Sequence, residues 1–225
     1  MQRFGKTAII LGATGLTGGV LLDLLLKDER YEQIKLFTRS RTGLKNPKIE
    51  EYLIDLFEME QFKNLFQADE IYCCVGTTQK KTPDKDTYRQ IDFGIPATAA
   101  KMAAENGIEA FLVISAMGAN QNSRIFYNRT KGEMEGAVLD AKISKTHILR
   151  PALISGDREE SRPAEFFGKK LMQALNPLLR GKLKKYRSIH PKEIAKSMIF
   201  LANHHFDKKI LESDEIKDIA AKENV

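Results

Sequence analysis

The stretch Thr7-Ala-Ile-Ile-Leu-Gly12-Ala-Thr-Gly15-Leu-Thr-Gly18 joins a short apolar run to a turn with glycine at every third position. The turn leads directly into Leu16 to Lys27, where Leu21, Leu22, Leu24, Leu25 and Leu26 fill the wide apolar face of a helix. Thr7 to Leu11 reads as a buried strand. Strand, glycine turn and helix in that order separate a nucleotide-binding turn from a chance match. The first glycine permits a tight turn, the second lets backbone approach a pyrophosphate, and the third lets helix pack closely on strand. Unpaired N–H groups and the helix dipole then favour anionic phosphates. Gly12, Thr14, Gly15, Leu16, Thr17 and Gly18 are therefore expected to bind a dinucleotide.

The same alternation continues outward. Strands are expected at Ile34 to Thr38, Ile49 to Ile54, Glu70 to Val75, Ala110 to Ser115 and Thr146 to Leu149. Helices are expected at Glu58 to Phe66, Tyr88 to Glu105 and Ser123 to Ala141, with Asn106-Gly107 as a C-terminal stop. Arg150-Pro151 ends the sixth strand, because proline cannot donate to the ladder. Repeated βα units imply right-handed crossovers and a doubly wound parallel sheet of the α/β class, the Rossmann fold, covered on both faces. Residues 1–225 are read as one such domain. Its segment 152–190 is less periodic and punctuated by Pro163, Pro177 and Gly181, which suits a small substrate-covering element.

Composition agrees with a globular chain. Of 225 residues, 42% are hydrophobic and 29% charged, with a net charge of +6. No apolar run is long enough to span a membrane, and the N-terminal apolar run is too short for a secretory signal. Cys73 and Cys74 are adjacent and lack metal-ligand spacing, so they read as small hydrophobes in a reducing, cytoplasmic setting. His147, His190, His204 and His205 show no metal-ligand pattern, and no metal is expected. The basic run Arg180 to Arg187 reads as a solvated face, so neither nucleic acid nor membrane is expected as a partner. Helices flanking the sheet allow a homodimer.

Cofactor choice is set at the end of the second strand. There Arg39-Ser40-Arg41 follows Thr38 with no carboxylate, and a guanidinium suits the 2′-phosphate of NADP(H) over the free hydroxyl of NAD(H). At the nicotinamide end, Ser115 closes the fifth strand, and Tyr127 and Lys131 share one face of the next helix. The lysine ammonium is expected to lower the phenol pKa. The phenol can then exchange a proton with a carbonyl oxygen as hydride arrives or leaves, while the serine holds that oxygen.

Together these residues resemble the short-chain dehydrogenase/reductase superfamily in its atypical branch. Cys73-Cys-Val-Gly-Thr-Thr78, Ile114-Ser-Ala-Met-Gly-Ala119, Tyr127-Asn-Arg-Thr-Lys-Gly-Glu133, Leu149-Arg-Pro151 and Gly156-Asp-Arg-Glu-Glu-Ser-Arg-Pro163 narrow the resemblance to the Tat-interactive-protein-like oxidoreductases. The resemblance implies a Rossmann fold, NADPH binding through Gly12, Gly15, Gly18 and Arg39, and an active site of Ser115, Tyr127 and Lys131. It further implies that Lys131 touches the nicotinamide ribose, that Gly76 approaches the cofactor, and that Asp55 sits near adenine.

The resulting expectation is an NADP(H)-dependent oxidoreductase acting on a small carbonyl or alcohol. A non-catalytic NADP(H)-sensing protein and an epimerase or dehydratase are the alternatives. Arg158 and Arg162, with Asp157, Glu159 and Glu160, either line a substrate pocket or pin their segment by ion pairs.

Overall fold

The computed structural model describes residues 5–155 and 181–223. Seven strands form one parallel sheet: β1 (Lys6–Leu11), β2 (Tyr31–Thr38), β3 (Ile49–Leu53), β4 (Glu70–Cys73), β5 (Ala110–Ile114), β6 (Lys145–Arg150) and β7 (Ile210–Glu212). Their order across the sheet is 3-2-1-4-5-6-7, so strands are added outward on one side of β1 through β3 and on its other side from β4 onward. In open α/β sheets that switch of side opens a crevice at the carboxyl ends of the strands.

Six α-helices are described: α1 (Leu16–Lys27), α2 (Lys85–Arg89), α3 (Ile95–Glu105), α4 (Phe126–Asp140), α5 (Pro191–Asn203) and α6 (Ser213–Ala220). Successive side chains of β1 point to opposite faces, as strand geometry requires. Ala8 and Ile10 face a core made with α1, α5 and α6, whereas Ile9 and Leu11 face a core made with α3 and α4. The sheet is thus the middle of three layers, and β1 is buried on both sides.

Several sequence expectations change in detail. The single helix expected from Tyr88 to Glu105 is α2 and α3 joined by a π-turn at Gln90–Gly94. The Ile95 N–H reaches back to the Gln90 carbonyl. Pro96 follows, has no N–H, and cannot satisfy the carbonyl four residues before it, so the wider turn precedes it. The expected helix Glu58 to Phe66 is a 3₁₀ segment, Leu56–Leu65, kinked at Glu58 and Phe62. Helix α4 starts at Phe126 rather than Ser123, because the Ser123 hydroxyl accepts from the Ile125 N–H in a local turn. The α5-β7-α6 unit extends the sheet beyond the sixth strand read from the sequence.

The opposite, amino end of the sheet carries a buried polar cluster. Lys6 Nζ lies 3.0 Å from Glu70 and donates to Asn203 at 2.7 Å. The Tyr72 hydroxyl donates to Glu70 at 2.6 Å, and the Tyr31 hydroxyl donates to the same carboxylate. Asn203 also donates to Tyr31, so the end of α5 is fixed to β1, β2 and β4. Each member is satisfied, which is the condition for burying such groups.

Candidate dinucleotide and active site

The glycine turn is shaped by close backbone contacts. Gly12 has φ of +85°, and a Cβ there would stand 2.9 Å from the Cys74 backbone. A Cβ on Gly18 would stand 2.1 Å from the Gly12 carbonyl oxygen. These two glycines let the turn fold over itself and α1 start against it. Gly15, the N-cap of α1, makes no side-chain cap, and no acidic residue occupies the first helical turn. The first amides of a helix have no intrahelical acceptor, so this end remains open to an anion.

A cavity of about 430 Å³ lies over this turn at the β1/β4 switch point. Gly12, Thr14 and Gly15 form its base, Arg39 and Ser40 one wall, and Asp55 with Phe57 another. Gly76 and Thr77, after β4, line it as well. The sequence-expected residues Gly12, Thr14, Gly15, Arg39, Asp55 and Gly76 therefore converge. Leu16, Thr17 and Gly18 do not line the cavity; Thr17 and Gly18 are buried in the first turn of α1. Arg41 does not line it either and instead lies near Glu51 on β3, lowering that carboxyl's pKa after the Thr42 hydrogen bonds. The Asp55 carboxylate caps the 3₁₀ segment by accepting from the Phe57 N–H at 3.0 Å.

Beyond Gly76 stands a second cluster. Lys131 Nζ forms an ion pair with Asp92 Oδ1 at 2.8 Å, both side chains almost fully buried. The other Asp92 oxygen accepts the Thr77 N–H at 2.8 Å, tying the loop after β4 to this pair. A Cβ on Gly76 would stand 3.5 Å from Asp92 and 3.8 Å from Lys131, so the pair lies close behind Gly76, while Asp92, Tyr127 and Lys131 do not themselves line the cavity. Burial works against the Lys131 charge, but Asp92 and Tyr127 outweigh it and the ammonium pKa ends above its ordinary value.

Tyr127, one helical turn from Lys131, keeps 36% of its surface exposed. The expectation of a lowered phenol pKa is reversed. Burial raises it, Lys131 opposes the rise, and Asp92 adds to it, for a net increase. Asp92 was not among the residues singled out from the sequence. Its only signal is a carboxylate between Ile91 and Phe93.

Ser115 faces elsewhere. Its hydroxyl donates to Glu135 Oε1 at 2.6 Å, and both groups are buried. Arg150 Nε donates to the same oxygen at 2.9 Å and Arg150 Nη2 donates to the other at 2.5 Å. Arg150 also reaches Glu212 on β7 at 3.4 Å. A hydroxyl has one proton, and here a carboxylate holds it. In this arrangement Ser115 joins β5 to α4 and β6 rather than presenting a donor to a carbonyl oxygen.

Residues 156–180 lie outside the described residues, and with them most of the segment 152–190, Asp157, Arg158, Glu159, Glu160, Arg162 and Arg180. Its flanks converge: Ile189 donates to the Leu153 carbonyl and Ser155 to the Ile189 carbonyl. Among the described residues no group of three His, Cys, Asp or Glu could hold a metal, and no helix is long and apolar enough to cross a membrane. Cys73 is buried, with its thiol pKa pushed up to about 11 by burial, and Cys74 is pushed up further by burial and by Cys73. Neither is an activated nucleophile.

A family model described as NAD(P)H-binding matches residues 12–155. The rat protein HTATIP2 is 29% identical over 174 residues, 76% of this chain and 72% of its own length. The protein FMP52, mitochondrial, of Meyerozyma guilliermondii is 32% identical over 205 residues, 87% of this chain and 84% of its own. Among solved structures, the Bordetella bronchiseptica enzyme WbmH in complex with NAD⁺ superposes with a TM-score of 0.70 at 14% identity, covering 96% of this chain and 79% of that one. UDP-N-acetylglucosamine 4-epimerase from Methanobrevibacter ruminantium gives a TM-score of 0.68 at 18% identity, covering 93% and 76%. At these identities the structural matches show the shared Rossmann fold.

Proposed function

This chain belongs to the NAD(P)H-binding family, and from that premise we propose that it is an NADP(H)-dependent oxidoreductase of the atypical short-chain dehydrogenase/reductase type. Its substrate is a small carbonyl or alcohol. The observation that carries the reading is the cavity over the glycine turn, whose lining residue Gly76 stands next to the Lys131–Asp92 pair, with Tyr127 one helical turn from Lys131. The residues present fit a dinucleotide: an uncapped helix start, glycines that keep side chains out of the cradle, and a cavity at the switch point.

The open end of α1 and the turn amides hold the pyrophosphate, and Arg39 takes the 2′-phosphate. That phosphate contact is the basis for NADP(H) over NAD(H), since no acid stands with Arg39 at the end of β2. Asp55 accepts from the adenine amine. Lys131 holds the nicotinamide ribose beside the phenol. When bound, the cofactor supplies or accepts hydride at the substrate carbon. Tyr127 exchanges the proton with the substrate oxygen, and Ser115 acts through Glu135 to fix the end of β5 beside α4. We further propose a cytoplasmic location and no nucleic-acid or membrane partner.

One observation favours a second reading, a cofactor-sensing protein without turnover. With its hydroxyl donating to Glu135, Ser115 leaves only Tyr127 to hold a carbonyl oxygen. Calorimetric titration with NADPH and NADH, followed by NADPH oxidation against a panel of aldehydes and ketones, separates the two. Tighter NADPH binding with turnover supports the oxidoreductase. Binding without turnover of any panel member supports the sensor, and equal affinity for the two cofactors refutes the role given to Arg39.

A further inference from the structure

We propose that Arg187 binds an acidic group of the substrate, so that the small carbonyl or alcohol compound carries a phosphate or a carboxylate. This inference rests on the oxidoreductase reading and adds to it the class of substrate.

Arg187 differs from the rest of its basic run and from the other arginines. Leu183, Lys184 and Tyr186 are exposed, as a solvated face requires. Arg187 is instead partly buried, and its Nε is sealed from solvent with no hydrogen-bond partner. Its side chain forms no ion pair among the described residues. The other arginines that are at least partly buried there are answered: Arg30, Arg89 and Arg150 each pair with a carboxylate, and Arg129 donates to a backbone carbonyl. A guanidinium cannot shed its proton to escape burial. Withdrawing it from water without an anion is costly, so a site that holds one in this state is built for an anion from outside.

Backbone contacts put this charge at the substrate end of the sheet. Past β6 the Pro151 carbonyl accepts the Met117 N–H, which keeps the chain beside the loop that leads from β5 to α4. Ile189 then pairs in parallel with Ile154, donating to the Leu153 carbonyl at 3.0 Å and accepting the Ser155 N–H at 2.8 Å. Arg187 therefore belongs to the carboxyl edge of the sheet, where open α/β sheets take their ligands. Tyr127 stands at the same edge, since it opens α4 just after that loop.

The segment is anchored on both sides of the charge. The Arg187 N–H donates to the Lys184 carbonyl at 3.0 Å at the end of the 3₁₀ turn Gly181–Tyr186. The Ser188 carbonyl accepts from Lys217 Nζ at 2.6 Å, and Ile189 is fully buried. A charge on a fixed backbone binds an anion without first having to be ordered.

The cofactor does not account for this arginine. Arg187 does not line the cavity over the glycine turn, where the open end of α1 and Arg39 stand for the cofactor's phosphates. The planar fork of a guanidinium matches two oxygens of a carboxylate or of a phosphate. The shared chemistry is an acidic oxygen pair on the substrate, away from the carbonyl presented to Tyr127.

Two matched pairs of aldehydes test the proposal by NADPH oxidation in the full chain: glyceraldehyde with glyceraldehyde 3-phosphate, and butanal with succinic semialdehyde. The acidic member of at least one pair should give a kcat/KM at least about tenfold above its neutral partner. Which pair does so distinguishes phosphate from carboxylate. Arg187→Met should bring that ratio to within about twofold of unity, with the neutral member and the Kd for NADPH unchanged. Arg187→Lys should keep part of the preference. Lys184→Met, which removes an exposed charge of the same run, should leave it intact. The proposal is overturned if neither acidic aldehyde is preferred, if Arg187→Met leaves the preference in place, or if it lowers both members of the pair equally. Removing an unpaired charge should not lower the urea midpoint; a loss as large as that of Arg150→Met would reveal a structural partner and also overturn it. Absence of turnover counts instead against the oxidoreductase reading. Calorimetric titration of the NADP⁺-loaded chain with the same aldehydes then decides Arg187 by itself. Binding of the acidic member alone, lost in Arg187→Met, supports the assignment, and equal or absent binding of both members overturns it.

Discussion

The Ser115 hydroxyl gives its proton to Glu135 at 2.6 Å, so the residue at the end of β5 is bound into the protein before any substrate arrives. Glu135 in turn takes both arms of Arg150. The cluster fixes the ends of β5 and β6 against α4, the helix that carries Tyr127 and Lys131. Removing one partner leaves another buried and unpaired. Glu135→Ala should therefore lower unfolding stability by roughly 2–4 kcal/mol, whereas Ser115→Ala should cost only about 1 kcal/mol. Urea unfolding checks the ranking; a larger loss for Ser115→Ala would contradict it.

Arg39 is exposed at the cavity wall, and its proposed partner is a single phosphate. Arg39→Ala should weaken NADPH binding about tenfold, corresponding to about 1.4 kcal/mol, with NADH binding changed less than twofold. Calorimetry with both cofactors measures the difference. Parallel losses for NADPH and NADH would assign Arg39 to a part of the ligand that the two share.

Gly18 tests the cradle sterically. A methyl group there meets the Gly12 carbonyl oxygen at 2.1 Å, and the contact is backbone, which cannot swing aside. Gly18→Ala should abolish measurable cofactor binding while Gly43→Ala, where a Cβ meets nothing within 4 Å among the described residues, leaves it unchanged. The φ of +75° at Gly43 means that variant loses some stability, about 1 kcal/mol. Thermal melts with and without NADPH separate the two effects.

His147 gives the chain a pH dependence remote from the site. Its Nδ1 faces the Lys208 carbonyl, which can only accept, so Nδ1 carries the proton. Its Nε2 is buried without a hydrogen-bond partner among the described residues, and burial lowers the imidazole pKa. A protonated ring would place a charge at Nε2 that no described group meets. The unfolded chain thus binds the proton more readily, and stability should fall as pH drops below the ordinary value of 6.5. Urea midpoints on either side of that value check the sign. His147→Gln should flatten the dependence, and an unchanged slope would assign it to other groups.

The sequence carried the fold where signals were local and repeated. The run from Thr7 to Gly18 placed β1 and the turn, and Leu16 to Lys27 matches α1 from first to last residue. Where structure depends on distant partners, the sequence is silent. Ile210-Leu-Glu212 is too short to show alternation and becomes a strand only by pairing with β6. Asp92 reads as an ordinary helical residue until the π-turn places it against Lys131. Ser115 looks like an active-site hydroxyl until Glu135, twenty positions away, claims its proton. The Tyr127–Lys131 spacing gives proximity along one helix, but the sign of the pKa shift depends on burial and on Asp92, which belong to another helix.

The most direct measurement pairs NADPH affinity with turnover in Tyr127→Phe. On the best carbonyl substrate from the panel, kcat should fall at least about 100-fold while the Kd for NADPH stays within about twofold of the unmodified chain. Turnover retained in Tyr127→Phe would contradict Tyr127 as the proton donor.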